Sequence, residues 1–147
     1  MSKGITFNNN LNGSKLKIGI VVSRWNQEIT DALLSKCKKG LRAAHVKEKN
    51  IFVQTVPGSY ELPFGASVLI KKKKVDAVIC LGALIKGETM HFEYIASAVS
   101  YGIMKLQLET GVPVVFGVLT CLNELQALAR SVGDEALAEE WGVTAVE

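Results

Sequence analysis

Cysteine, proline and histidine are all scarce in these 147 residues, with three, three and two copies. Cys37, Cys80 and Cys121 are odd in number, widely spaced and set among apolar residues. That pattern excludes a disulfide framework and reads as small core hydrophobes in a reducing compartment. Two histidines and three scattered cysteines supply no metal-ligand spacing. No apolar run approaches the ~20 residues that cross a bilayer, so no membrane partner is expected. The opening MSKGITFNNNLNGSK is polar and has no apolar signal core, which makes a cytoplasmic location the expectation. An excess of one charge is missing too: the net charge is +3, too slight to argue for nucleic acid. The basic runs Lys36 to Lys49 and Lys71 to Lys74 read as a solvated helix face and a helix end. There is no Walker loop, no Gly-x-Gly-x-x-Gly and no internal repeat.

What is present is a chain with 48% hydrophobic and 21% charged residues, ordinary for one globular domain of this length. Residues 1 to about 15 read as a flexible polar arm, and 16–147 as a single domain. Leu16 to Ser23 is an apolar, β-branched run that predicts a buried strand. Further strands are predicted at Ile51 to Val56, Val75 to Leu81 and Val114 to Leu119. Between them apolar residues recur at helical spacing. Ile29, Leu33, Cys37, Leu41 and Ala44 mark the first helix, with Asn26 as its candidate cap. A second helix follows over Glu61 to Lys73 and a long third over Thr89 to Glu109, ended by Gly111 and Pro113. A fourth starts at Thr120 or Asn123 and runs through Arg130. Ser131 to Glu140 reads as an acidic connection, and Trp141 to Glu147 as the start of another helix. Strands alternating with helices predict a parallel α/β sheet of four strands with helices on its faces.

In such a sheet, ligands sit beyond the carboxyl ends of the strands. The loops there hold Arg24-Trp25-Asn26, Pro57 to Glu61, Leu84 to His91 and Thr120 to Asn123, so the chain's unusual residues share one rim. The stretch Gly82 to Gly102 carries most of the chemistry. A strand leads through Lys86-Gly87-Glu88-Thr89 into a helix, and the unpaired first amides of that helix favour an anion. Gly87 permits close backbone approach, and Thr89 can cap the helix or offer its hydroxyl. His91, one turn on, is a candidate proton acceptor. Each residue also has a plainer reading. Trp25 fits a core as well as a stacking platform. Glu61 fits a simple helix-start charge, His91 a satisfied helix-end histidine, and Arg130 a residue that compensates a helix dipole.

Taken together, the stretches VVSRWN at 21–26, VPGSYELP at 56–63, LGALIKGETMHFEYI at 81–95, GVPVVFGVLT at 111–120 and QALAR at 126–130 resemble the lumazine synthase family. The likeness runs from Lys17 to Glu147. It implies a flavodoxin-like three-layer sandwich, assembled as pentamers or pentamer-based shells with active sites at subunit interfaces. It implies condensation of 5-amino-6-ribitylaminouracil with 3,4-dihydroxy-2-butanone 4-phosphate, the penultimate step of riboflavin biosynthesis, without metal or redox cofactor. By match, Trp25 would stack on the pyrimidine. Asn26, Ser59 and Glu61, with Tyr60 beside them, would hold the ribityl chain. Leu84 and Ile85 would offer main-chain bonds to the uracil. Gly87, Glu88, Thr89 and Arg130 would hold phosphate, and His91 would move protons. The matches of Phe116 and Arg130 enter the site from a neighbouring subunit. Two departures stand out: Ser131 to Glu140 has neither the Lys nor the His that many relatives carry after the matched arginine, and it is shorter than in many fungal-type relatives. The alternative reading is a flavin- or lumazine-binding protein with weak catalysis, and a third is a shell-forming scaffold.

Overall fold

A computed structural model describes residues 10–133 and 135–147. Four strands form one parallel sheet: β1 (Ile18–Ser23), β2 (Ile51–Val56), β3 (Ala77–Ile85) and β4 (Val114–Cys121). Their order across the sheet is β2-β1-β3-β4, so the sheet is parallel as the alternating pattern predicts. Five helices cover it: α1 (Gln27–Ala43), α2 (Leu62–Lys73), α3 (His91–Thr110), α4 (Glu124–Ser131) and α5 (Ala138–Thr144). The result is a three-layer α/β fold with the flavodoxin-like strand order.

Side chains alternate along each strand and divide the core in two. Ile18, Ile20 and Val22 of β1 join Ile79 and Leu81 of β3 under α1, where Leu33, Cys37 and Leu41 complete that half. Val21 of β1 and Val78 and Cys80 of β3 face the other way, onto Leu62 and Ala66 of α2 and Val99 and Ile103 of α3. The predicted apolar spacing of the first helix is therefore the face it buries: Ile29, Leu33, Cys37 and Leu41 all lie in the core.

Several boundaries differ from those the sequence predicts. β3 runs on to Ile85 because β4 pairs with it that far, Ile85 opposite Cys121, so Leu84 and Ile85 are strand residues. β4 likewise ends at Cys121. The third helix begins at His91, with Met90 at its cap and no capping side chain; Thr89 stands outside it. The last helix begins at Ala138, inside the stretch read as an acidic connection. Its cause is tertiary. Gly40 of α1 and Gly142 of α5 let the two helices meet backbone to backbone; an added Cβ would lie 2.0 Å from Glu139 O or 2.4 Å from Cys37 O. Ala138 is fully buried there, while Glu139 reaches outward to Lys39 at 2.9 Å. Of the polar arm expected at 1–15, residues 1–9 lie outside the described residues. At its inner end Gly13 donates its N–H to Ala44 O at 2.7 Å. Among the described residues, no helix is long and apolar enough to cross a membrane.

Candidate active site

After β1 the chain turns to one face of the sheet, and after β3 to the other. β1 and β3 are neighbours, so their carboxyl ends open a crevice between diverging connections, the topological switch point of such a sheet. A cavity of about 610 Å³ lies there, in the size range of small-molecule sites.

The loop after β1 is fastened on both sides. Arg24 N–H donates to Val56 O at 2.9 Å and Trp25 N–H to Pro57 O at 3.1 Å. Asn26 occupies the first cap of α1, but its side chain makes no cap. Its backbone is left-handed at φ 60°, a conformation asparagine tolerates better than most residues. From there Nδ2 donates to Ala83 O of β3 at 2.9 Å. Trp25, held between these anchors, is 74% exposed and lines the cavity. Its plainer reading as core is therefore excluded.

The loop after β2 folds into a short 3-10 turn at Ser59–Glu61. Glu61 Oε2 accepts the N–H of Gly58 at 2.9 Å, which fixes the carboxylate against the loop while its residue still lines the cavity. Ser59 settles on β3 where Gly82 lacks a side chain; a Cβ there would stand 2.5 Å from Ser59 Oγ. That hydroxyl is buried and has no partner among the described residues. A polar group held out of water in this way is costly unless a ligand or water satisfies it.

β3 outruns β1. The β1 ladder ends with Val22 opposite Leu81, so beyond that point one edge of β3 is open. Val78 donates its N–H to Pro113 O, just before β4, and Lys86 to Cys121 O of β4, whereas Ala83 O faces the β1 side, where Asn26 meets it. Continuing that alternation turns the main-chain polar groups of Ile85 toward the cavity and those of Leu84 toward β4. Next comes the exposed loop of Lys86 to Met90. Among the described residues, no atom beyond its two chain neighbours lies within 4 Å of where a Gly87 Cβ would be, so the backbone there is open to approach. His91 opens α3, and Thr89 Oγ1 accepts its N–H at 3.4 Å, a weak contact. The amides of this first turn therefore remain available to an anion.

Trp25, Asn26, Ser59, Tyr60, Glu61, Leu84, Ile85, Gly87, Thr89 and His91 all line this one cavity. Glu88 lies in the same loop but not on the cavity wall. Phe116 lies elsewhere, in a smaller groove with Ile103 and Met104 of α3. Arg130 also stands apart: its guanidinium donates to Gln126 O at 3.2 Å and pairs with Glu135 at 3.5 Å. Ala83, Phe92 and Ile95 line the cavity as well and were not singled out from the sequence. Their place within LGALIKGETMHFEYI was the available signal, one strand or helix turn from residues that were. The three cysteines are buried, and burial pushes the Cys37 and Cys80 thiols up to about 12, which leaves them inert as nucleophiles.

The family model for 6,7-dimethyl-8-ribityllumazine synthase matches residues 15–147. The chain belongs to this family. Among its relatives, the 6,7-dimethyl-8-ribityllumazine synthase of Pyricularia oryzae is 44% identical over 174 aligned positions, which take in 92% of this chain and 87% of the fungal one. Those positions outnumber the residues of this chain, so the fungal synthase holds segments without a counterpart here. For a lumazine synthase, the cavity offers an indole platform, a buried polar floor and an open helix start within one crevice.

Proposed function

We propose that this chain is a transferase that condenses 5-amino-6-ribitylaminouracil with 3,4-dihydroxy-2-butanone 4-phosphate, releasing phosphate and water and forming 6,7-dimethyl-8-ribityllumazine. The observation that carries the reading is the shared cavity of Trp25, Ser59, Gly87, Thr89 and His91. The indole of Trp25 stacks on the pyrimidine. Ile85 offers its main chain to the uracil, and Asn26, Ser59, Tyr60 and Glu61 line the way for the polyol. The buried hydroxyl of Ser59 finds a partner there. The amides from Gly87 and Glu88 onward, with Thr89, take the phosphate.

The chemistry follows from this placement. The 5-amino group attacks the ketone, and loss of water gives an imine. Phosphate then leaves with the bonding electrons, and the ribityl-bearing nitrogen closes the ring with loss of a second water. His91 carries protons between these steps, work that typically gives ~10²–10⁴-fold. Alignment of two substrates in one crevice supplies much of the rest.

Phe116 and Arg130 do not reach this chain's own cavity. In the proposed enzyme they complete the cavity of a neighbouring copy in a homopentamer, where the guanidinium clamps the leaving phosphate. A cytoplasmic site of action fits the three reduced, buried thiols. Mixing the purified protein with both substrates and following lumazine absorbance tests the reading; no rate above the uncatalysed background rejects it.

The wide exposed face of Trp25 favours one second reading, a flavin- or lumazine-binding protein with weak catalysis. Titration with riboflavin, followed by fluorescence beside the activity assay, separates the two. Tight binding with turnover near background supports the binder.

A further inference from the structure

Lys86 and Glu93 stand at the two ends of the loop with the open amides. The backbone of Lys86 is anchored to the sheet, its N–H bonded to Cys121 O at 2.9 Å. Glu93 belongs to the first turn of α3, where a carboxylate suits the helix dipole. Their side chains meet as an ion pair that spans the loop. Lys86 Nζ also lies 5.8 Å from the centroid of the Phe92 ring, and Phe92 lines the cavity. The second carboxylate oxygen of Glu93 is buried and has no partner among the described residues. A glutamate serving only solubility would turn both oxygens to water, since an unpaired buried one is unfavourable. Something holds Glu93 in place, and Lys86 is the group that meets it.

The residues between them have little else to hold their shape. Residues 86–91 are all exposed. The side-chain tie within the loop is the long contact of Thr89 Oγ1 with His91 N–H at 3.4 Å. An anion gripped by backbone amides needs those amides aimed before it arrives, or ordering the loop is charged against binding.

We propose that Lys86 and Glu93 form a clasp that keeps residues 87–90 in their anion-accepting shape, which makes both of them positioning residues for the phosphorylated substrate. The inference rests on reading this loop as the phosphate cradle. Glu93 also neutralises Lys86, so the lysine acts as a strut and leaves the phosphate to the amides and to a cation from elsewhere.

The test compares the wild type with Lys86→Ala, Glu93→Ala, the double variant and Lys86→Arg in steady-state kinetics. Each alanine variant should raise the KM for the butanone phosphate about fivefold, the scale of an exposed ion pair. The KM for the pyrimidine and kcat should stay near wild type, a split that general loss of folding would not produce. The double variant should be no worse than either single one, and Lys86→Arg should restore the wild-type KM. A wild-type KM in Glu93→Ala overturns the clasp. So does a double variant whose loss is the product of the two single losses. A large loss confined to Lys86→Ala overturns it too, because the lysine would then touch phosphate itself. Inorganic phosphate titrated calorimetrically into the same proteins must rank them alike. That ranking needs no turnover: an inactive wild type would defeat the proposed function, while equal phosphate affinities in all five proteins would defeat the clasp.

Discussion

The two helical layers flank one sheet and finish differently. On one face, α1 and α5 meet through Gly40 and Gly142, with backbone against backbone and no room for a Cβ. Ile29, Leu33, Cys37 and Leu41 are sealed beneath them. On the other face, α2 and α3 cover the sheet with Leu62, Ala66, Val99 and Ile103, yet their outer sides leave Phe64, Tyr94, Tyr101 and Leu108 largely exposed, Leu108 at 79%. The seam between α1 and α5 is closed within one chain, although Leu125 of α4 on the same face is 78% exposed. The layer that frames the cavity keeps apolar side chains that gain by burial against another surface. A neighbouring copy in the proposed homopentamer would supply such a surface.

The sharpest way to break the contrast is to spoil the closed seam between α1 and α5. Gly40→Val drives a branched side chain into the backbone of α5, and the better helix propensity of valine cannot offset the clash. We expect a loss of about 3 kcal/mol in urea denaturation, at the upper end of overpacking costs. A stable Gly40→Val protein would show that α5 docks loosely. On the other layer, His91→Ala should leave the denaturation midpoint unchanged and lower kcat about 10²-fold, read from lumazine absorbance. Leu108→Glu should weaken self-association by about 2 kcal/mol, the scale of burying one leucine. A sedimentation profile unchanged from wild type would place the subunit contact elsewhere. Arg130→Ala should raise the KM for the butanone phosphate about tenfold, more than His91→Ala does, as loss of a charge-assisted hydrogen bond predicts. Equal effects of the two on that KM would contradict the division of labour.

The smallest effect is a pH dependence. Burial raises the Cys37 thiol from 9.0 to about 12. The folded state thus favours the neutral thiol, and the stability it contributes is complete below pH 9.0 and falls as pH rises toward 12. Between pH 8 and pH 10, Cys37→Ala should lose about 1 kcal/mol less than wild type in urea midpoints converted to free energy. Identical slopes for the two proteins would mean that the thiol meets water in the native state.

Much of the fold was legible because burial writes itself into local pattern. The run Leu16 to Ser23 reads as a buried strand, and Ile18–Ser23 is one, buried throughout; the four-residue spacing from Ile29 to Leu41 reads as the inner face of a helix, which it is. The rim was legible for a related reason: Pro57-Gly58, Gly87 and Asn123 punctuate strand ends, and Asn123 does cap α4, accepting from Gln126 N–H at 2.9 Å. α5 was not legible. Its polar residues face solvent and its small ones face α1, so Ala138 to Glu140 look like a connection until Gly40 is seen opposite. The reach of β3 to Ile85 was hidden as well, since its last residues are held by pairing with β4 rather than by their own pattern.

Local periodicity and turn chemistry, then, settled the number of elements, the parallel sheet and the set of loops at one end of it, because those depend on each residue's preference for water or for its near neighbours. Distance in space was another matter. Which of Trp25, Ser59, Ile85 and His91 share a wall, which side of β3 stays open, and why Arg130 stands off from its own cavity were decided by contacts between segments far apart in sequence, and no local preference encodes those.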